Sequence, residues 1–319
     1  MTGVAVIGSG AFGTSLALAL AAEGSPIEFW GRDRDDLRQM QENRKTGTRL
    51  PGFDLPESIS VKPDLEKISA QVCLLSVPMQ KLAGFLESAP SLKGRTLVAC
   101  CKGVDLKTGL GPVSTIQTVF PDNSAGILTG PSFAVDIAAG LPTALVIAHG
   151  DASVAASLQA ELNRSKLRLY RTTDTVGAEL GGSLKNVVAL ASGIAIGAGL
   201  GESARASVIA RGFAEMTRYA MRMGAQPETL GGLSGLGDLV LTATSEKSRN
   251  YSAGIAIGQG RDLPDVTIEG IATAQAIAGL AKSDGVDMPL ASAVAAITLG
   301  KLDLRSAIEM LLARPATEE

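Results

Sequence analysis

The residues that could do chemistry crowd into one stretch, Gly177–Leu190, GAELGGSLKNVVAL. Leu180, Leu184, Val187, Val188 and Ala191 recur at helical spacing and predict a stripe packed into a core. Around from that stripe, Gly181, Lys185, Ala189 and Ser192 make a second face, bare but for one ammonium group. No acidic residue stands three or four positions from Lys185, so the local ion pair of an ordinary surface lysine is missing. Small neighbours let a ligand or another helix come close. If that face is covered, desolvation lowers the lysine pKa and makes the group a proton carrier near neutral pH. A solvated surface lysine fits the same stretch, so the surroundings have to decide.

A second set of candidates opens the chain. The β-branched run Val4–Ile7 leads into Gly8-Ser9-Gly10-Ala11-Phe12-Gly13 and then an alanine- and leucine-rich helix to about Ala22. This is G-x-G-x-x-G between a strand and a helix, the context in which the pattern predicts dinucleotide binding. Gly8 permits the tight turn, Gly10 lets the main chain approach a pyrophosphate, and Gly13 lets the helix pack on the strand. The helix N-terminus then offers its N–H groups to the phosphates. Strand Ile27–Trp30 should end beside the adenosine ribose, where Gly31-Arg32-Asp33 follows. Arg32 can stack on adenine and pair with a 2′-phosphate, which predicts NADP(H) as the preferred cofactor; Asp33 beside it keeps NAD(H) usable.

The elements that must position these groups alternate in type. After a helix Asp35–Asn43 and the polar loop 43–52, strands are predicted at Val72–Val77, Thr96–Cys100, Ile127–Thr129, Thr143–Ala148 and Leu167–Tyr170. Alternation with helices predicts a mostly parallel, doubly wound sheet whose ligands gather at the C-terminal strand ends. The loops there carry Ser76-Val77-Pro78, Cys101-Lys102-Gly103 and Gly130-Pro131-Ser132-Phe133-Ala134. Lys102 is the cation best placed to meet an anion. Gly130 and Ser132 should open a helix whose N–H groups hold oxygens, with a plain Gly-Pro turn as the alternative.

Beyond about Thr175 only helices are predicted, at Leu180–Ile196, Ala204–Met223, Leu236–Thr244, Ile271–Ser283, Leu290–Leu299 and Arg305–Leu312. The expected fold class is therefore α/β, an N-terminal Rossmann-type doubly wound sheet over residues 1–175 followed by an all-α C-terminal domain over 176–319. In the helical part Asp238 follows the glycine-rich run Gly231–Gly237, so the chain there can approach something closely. Ser248-Arg249-Asn250 offers a hydroxyl, a guanidinium and an amide suited to phosphate, and Glu269 stands in VTIEG. Each of these serves equally as a cap, a turn or a solvated charge. The tail Ala313–Glu319 should fray.

Bulk properties narrow the class. The chain has 319 residues, 45% hydrophobic and 19% charged, enough for two globular domains. A net charge of -3 without a long run of one sign argues against a nucleic-acid partner and leaves room for a small anionic substrate held by a few local cations. Three cysteines, two of them adjacent, make no disulfide framework and fit a reducing compartment; a single histidine and no Cys-x-x-Cys argue against a metal. With no cleavable leader and no stretch of eighteen uninterrupted apolar residues, a cytoplasmic protein without stable membrane insertion is expected. Helix Ile271–Leu280 offers a face for a homodimer as readily as for core packing.

Together these residues resemble the bacterial-type NAD(P)-dependent glycerol-3-phosphate dehydrogenases along nearly the whole chain. The likeness is carried by GSGAFGTSLA at 8–17, LPG at 50–52, SVP at 76–78, CKG at 101–103, GPSFA at 130–134, ELGGSLKNVVAL at 179–190, SGLGDLVLT at 234–242, SRN at 248–250 and IEG at 268–270. LKN with GLGD and SRN is the specific combination. The resemblance implies reversible hydride transfer between NAD(P)H and dihydroxyacetone phosphate, giving sn-glycerol 3-phosphate for phospholipid synthesis. It implies Lys185 as proton donor and acceptor, with Asp238 beside the substrate. Lys102, Gly130, Ser132, Ser248, Arg249 and Asn250 would then hold glycerol phosphate. Ala11, Phe12, Arg32, Lys102, Ala134, Arg249 and Glu269 would touch the nucleotide. The family's frequent Ser-Tyr or Ser-Trp in the glycine loop is Ala11-Phe12 here, which removes a hydroxyl contact to the cofactor. Two other readings stand beside this one. A β-hydroxyacid or 6-phosphogluconate-type dehydrogenase also joins a dinucleotide domain to helices and uses a lysine, and SRN and GLGD speak against it. A non-catalytic NADP sensor would bind NADPH without oxidising it, and the presence of both a proton carrier and phosphate-binding residues speaks against that.

Overall fold

The computed structural model describes residues 3–263 and 268–313. Contacts divide the chain into two compact units, Met1–Asp105 with Leu110–Glu179, and Leu106–Gly109 with Leu180–Glu319.

In the first unit the strands are β1 (Val4–Ile7), β2 (Ile27–Trp30), β3 (Ile59–Val61), β4 (Val72–Leu75), β5 (Thr96–Ala99), β6 (Ser124–Thr129), β7 (Thr143–His149) and β8 (Leu167–Thr172). They form one sheet in the order β3-β2-β1-β4-β5-β6-β7-β8, parallel throughout except for the β6–β7 pair. Alternate strand residues serve opposite faces. Val4, Val6, Phe29 and Leu74 pack with Leu16, Leu20, Leu37 and Met40 on one side. Ala5, Ile7, Leu75 and Leu97 pack with Leu82, Leu86, Val113 and Ile116 on the other. Because helices cover both faces, these strands read as unbroken apolar runs, as a doubly wound sheet requires. The sheet is mostly parallel, as predicted, and two of its strands depart from the prediction. Strand β6 begins earlier, at Ser124. Strand β3 was not predicted, because its apolar signal is only Ile59 and Val61 around exposed Ser60 at the sheet edge.

The regular elements of the second unit, among its described residues, are all helices, from the later turns of Thr175–Gly197 through Gly201–Arg222, Pro227–Gly231, Asp238–Ala243, Arg249–Gly258, Glu269–Ser283 and Pro289–Thr298 to Leu304–Leu312. Leu184, Val187, Val188 and Ala191 pack into its core with Met216, Tyr219, Leu239 and Val294, as the helical stripe predicts. Thr175–Gly197 is the one described helix long and apolar enough to cross a membrane, and 83% of its apolar window is buried inside the protein. Helix Glu269–Ser283 spends Thr273, Ala274, Ile277 and Ala281 on core packing. The predicted helix Leu236–Thr244 is split: a π-helical turn, Leu233–Gly237, precedes Asp238–Ala243. Arg249–Gly258 is a helix that the prediction lacked. Of the expected frayed tail, residues 314–319 lie outside the described residues.

Two buried acids tie helix ends together. In the first unit Glu179 accepts from the Val113 N–H at 2.5 Å, capping helix Pro112–Val119. In the second, Glu215 accepts from the Leu290 and Ala291 N–H groups at 2.7 and 3.2 Å, at the start of Pro289–Thr298. Burial pushes each carboxyl up from 4.5 to about 7. A folded pKa raised above the unfolded one gives stability that is complete below about pH 4.5 and is lost as pH rises through about 7. The thermal midpoint is therefore expected to fall between pH 5 and pH 8. Glu179→Gln should make that fall shallower, and a variant with the wild-type slope in a pH series of melting curves would refute the assignment.

Candidate functional site

The glycine turn after β1 sits where the strand order reverses, between β1 and β4, the position at which doubly wound sheets bind ligands. Gly8 has φ +120°, and a Cβ there would overlap the Ser76 carbonyl of the neighbouring strand end. A Cβ on Gly13 would overlap the Gly8 carbonyl oxygen and come 2.9 Å from Ser76 Cβ. At Gly10 a Cβ would meet nothing within 4 Å. So Gly8 and Gly13 are demanded by packing, whereas Gly10 keeps open the space a dinucleotide phosphate needs. Gly10 is the N-cap of helix Ala11–Ala21, which has no side-chain cap bond and no acidic residue in its first turn. Those donors and that clear approach suit an anion, so the residues present fit a dinucleotide pyrophosphate.

At the end of β2, Gly31 is buried against Ser9, and Arg32 is exposed. Asp33 accepts from the Asp36 N–H at 3.1 Å and caps helix Arg34–Asn43. The carboxylate that kept a ribose contact open is thus engaged by its own helix. After β5, Lys102 Nζ donates to the Gly130 carbonyl at 3.4 Å, and Ser132 Oγ donates to the same oxygen at 3.1 Å. The structure therefore gathers Lys102, Gly130 and Ser132. The helix expected at Gly130 and Ser132 begins later, at Ala134, and Gly130, with φ +135°, makes the bend before it. His149 is not placed for proton transfer: it is buried at the end of β7, its Nδ1 accepting from the Asp151 N–H at 3.0 Å and its Nε2 2.9 Å from Ser124 Oγ. Among the described residues no group of His, Cys, Asp and Glu is arranged to hold a metal.

In the helical unit the predicted proton carrier is covered. The Lys185 side chain is 7% exposed and its ammonium lies 2.5 Å from Asp238 Oδ1, whose side chain is 1% exposed. Lys185 Nζ also donates to Thr242 Oγ1 at 2.8 Å, and that hydroxyl lies 3.4 Å from the same Asp238 oxygen. Asp238 and Thr242 stand one turn apart on helix Asp238–Ala243 and present both oxygens to the amine. The π-helical turn brings that helix in close. A Cβ on Gly181 would come 2.6 Å from the Ser234 carbonyl oxygen, and one on Gly235 would overlap the Leu230 carbonyl. The small face around Lys185 is thus covered by the glycine-rich run, and the ion pair missing locally is made across 53 residues. Thr242 was not singled out from sequence, although its place four residues after Asp238 is the signal that finds it.

One residue on, Asn186 donates from Nδ2 to Glu269 Oε2 at 3.2 Å, and Asn250 Oδ1 accepts from the Gly270 N–H at 2.8 Å. The structure brings Asn250, Glu269 and the Lys185 helix to one place, through an asparagine that sequence reasoning passed over. Ser248 is buried and caps helix Arg249–Gly258, accepting from the Tyr251 N–H at 3.3 Å. Arg249, the first residue of that helix, is exposed.

Comparison with known proteins gives a consistent picture. Family models for the N-terminus and the C-terminus of NAD-dependent glycerol-3-phosphate dehydrogenase match residues 3–155 and 174–309. A glycerol-3-phosphate dehydrogenase [NAD(P)+] of Cereibacter sphaeroides is 52% identical over 99% of this chain and 100% of its own length. One from Paracoccus denitrificans is 52% identical over 99% of both chains. The crystal structure of glycerol-3-phosphate dehydrogenase from Coxiella burnetii is 33% identical, superposes with a TM-score of 0.91, and is covered over 98% of this chain and 99% of that one.

Proposed function

This chain belongs to the NAD-dependent glycerol-3-phosphate dehydrogenase family, and on that premise we propose that Lys185 carries the proton exchanged when dihydroxyacetone phosphate is reduced to sn-glycerol 3-phosphate. The chain is an NAD(P)-dependent oxidoreductase acting on a CH–OH group, of the kind that supplies glycerol phosphate for phospholipid synthesis. Bound NAD(P)H supplies the hydride to the carbonyl carbon. Lys185 polarises the carbonyl oxygen and gives it a proton as the alkoxide forms; in the reverse direction it takes that proton back. Asp238 and Thr242 hold the ammonium in one position, so that no ordering of a flexible side chain is needed at the moment of reaction. The observation that carries this reading is the buried Lys185–Asp238 pair, an amine with a fixed orientation inside a helical core.

The same reading gives the phosphate of the substrate to Arg249, Asn250 and the opening turn of helix Arg249–Gly258, where guanidinium and main-chain N–H donors coincide. Ser248 contributes by capping that turn. Lys102, Gly130 and Ser132 form a second polar group for the substrate, and Glu269, held by Asn186, serves the nucleotide. Residues 1–175 then act as the nucleotide-binding part and 176–319 as the substrate-binding part. A cytoplasmic setting completes the assignment, supported by three cysteines none of which forms a disulfide.

The direct test follows absorbance of NADPH and of NADH separately on addition of dihydroxyacetone phosphate, with oxidation of NADPH the faster. Loss of Arg32 should reveal its role. With Asp33 engaged as a cap, Arg32→Ala should lower kcat/KM for NADPH by on the order of tenfold or more, the loss of one charge-assisted contact to a 2′-phosphate, and leave NADH nearly unchanged. Equal losses with both nucleotides would remove Arg32 from the 2′-phosphate.

A further inference from the structure

Two helices of the second unit touch main chain to main chain. Gly193 and Gly197 stand one turn apart on Thr175–Gly197, and Gly254 and Gly258 one turn apart on Arg249–Gly258. A Cβ on Gly193 would overlap the Tyr251 carbonyl oxygen and come 2.9 Å from Gly254 Cα. One on Gly254 would overlap the Leu190 carbonyl oxygen and come 2.9 Å from Gly193 Cα. Gly197 and Gly258 repeat the relation one turn on, against the carbonyls of Ile255 and Ile194. Every obstructing atom is main chain, so no change of rotamer makes room: added methyl groups force the helices apart. Glycine inside a helix costs about 1 kcal/mol relative to alanine, so four of them facing one another make sense only through the approach they allow. Gly279, inside helix Glu269–Ser283, has nothing within 4 Å of its would-be Cβ and supplies a control.

Each helix carries chemistry a short, fixed distance from this seam. Lys185 lies eight residues before Gly193, about 12 Å along the axis, and Asn250 lies four residues before Gly254, about 6 Å. We propose that the Gly193–Gly254 seam is a positioning device that sets the separation between the Lys185 ammonium and the Arg249–Asn250 pair. That separation matches the enzyme to a short phosphorylated ketose, whose carbonyl and phosphate must meet both groups at once. Gly193 and Gly254 are positioning residues, because they act only through the helices that they space. The inference rests on the roles assigned above to Lys185, Arg249 and Asn250.

A displacement of about 1 Å at a remote residue can cost on the order of 10² in rate when two groups must grip one small substrate. The quantity to measure is the ratio of kcat/KM for dihydroxyacetone phosphate to kcat/KM for dihydroxyacetone, both with NADPH. This ratio does not depend on how much of a preparation is folded. In Gly254→Ala it should fall at least tenfold, towards the value of Arg249→Ala, while Gly279→Ala keeps the wild-type ratio and the Kd for NADPH is unchanged in both glycine variants. If Gly254→Ala lowers both activities in equal proportion, the seam is merely structural and the proposal is overturned. If Arg249→Ala keeps the wild-type ratio, the phosphate assignment fails and takes the proposal with it, a result distinct from the first. Should Gly254→Ala not fold, Gly258→Ala is read in the same way, with a fall of at least threefold expected and equal losses again decisive against the seam.

Discussion

Replacing Lys185 by alanine is expected to lower kcat by on the order of 10² to 10⁴, the usual worth of a positioned general acid, while NADPH still binds. Nucleotide binding survives because the glycine turn at Gly8–Gly13 and Arg32 belong to the other unit. The substitution also has a stability cost that must be separated from the chemical one. Asp238 is wholly buried, and removing the ammonium beside it leaves a carboxylate in the core, at a cost of about 3–5 kcal/mol. Turnover should therefore be measured on material whose circular dichroism shows it folded. A second variant, Lys185→Met with Asp238→Asn, removes both charges together and should recover much of the stability, yet none of the turnover. Recovery of folding without recovery of rate identifies the amine as a reactant. Either variant keeping most of the wild-type kcat would end the assignment of Lys185 as the proton carrier.

Arg249→Ala should raise KM for dihydroxyacetone phosphate by roughly 10- to 100-fold, since a charge-assisted hydrogen bond is worth about 1.5–3 kcal/mol. The residue is exposed, so its removal should change stability by less than about 0.5 kcal/mol. The kinetic effect is then clean of any folding defect. Part of the loss should appear in kcat as well, because binding energy from the phosphate helps to hold the carbonyl in place for reaction. Arg249→Lys keeps the charge but not the planar fork, and should recover only a fraction of the alanine variant's loss. An Arg249→Ala enzyme with wild-type KM for the phosphorylated substrate would show that the guanidinium does not hold the phosphate.

Much of this enzyme was legible before its coordinates. The glycine turn between β1 and its helix, the apolar strands of a sheet covered on both faces, and the helical stripe through Leu184, Val187 and Val188 are local periodic signals, and all three appear where expected. They are legible because burial of a strand or helix face imposes a repeat of two or of about 3.6 residues on neighbouring positions. Candidate chemistry was legible in the same way, since an amine without a local acid, a glycine-rich run before an aspartate, and Ser-Arg-Asn are each visible in a few consecutive residues.

Other features depend on residues far apart in the chain. The acid that pairs with Lys185 stands 53 residues away, and the hydroxyl that completes its cage, Thr242, has meaning only once its helix lies against the small face of Thr175–Gly197. Helix Arg249–Gly258 was missed because Gly254 and Gly258 lower its propensity, and their reason, Gly193 and Gly197, lies on another helix. The π-helical turn before Asp238 and the capping of distant helices by Glu179 and Glu215 are likewise invisible locally. Local sequence disclosed most of the elements, the faces they bury and the chemical groups on hand. Tertiary structure alone decided which groups meet and which glycines are indispensable, because pairing, desolvation and close approach are properties of two surfaces, and one stretch of chain contains only one of them.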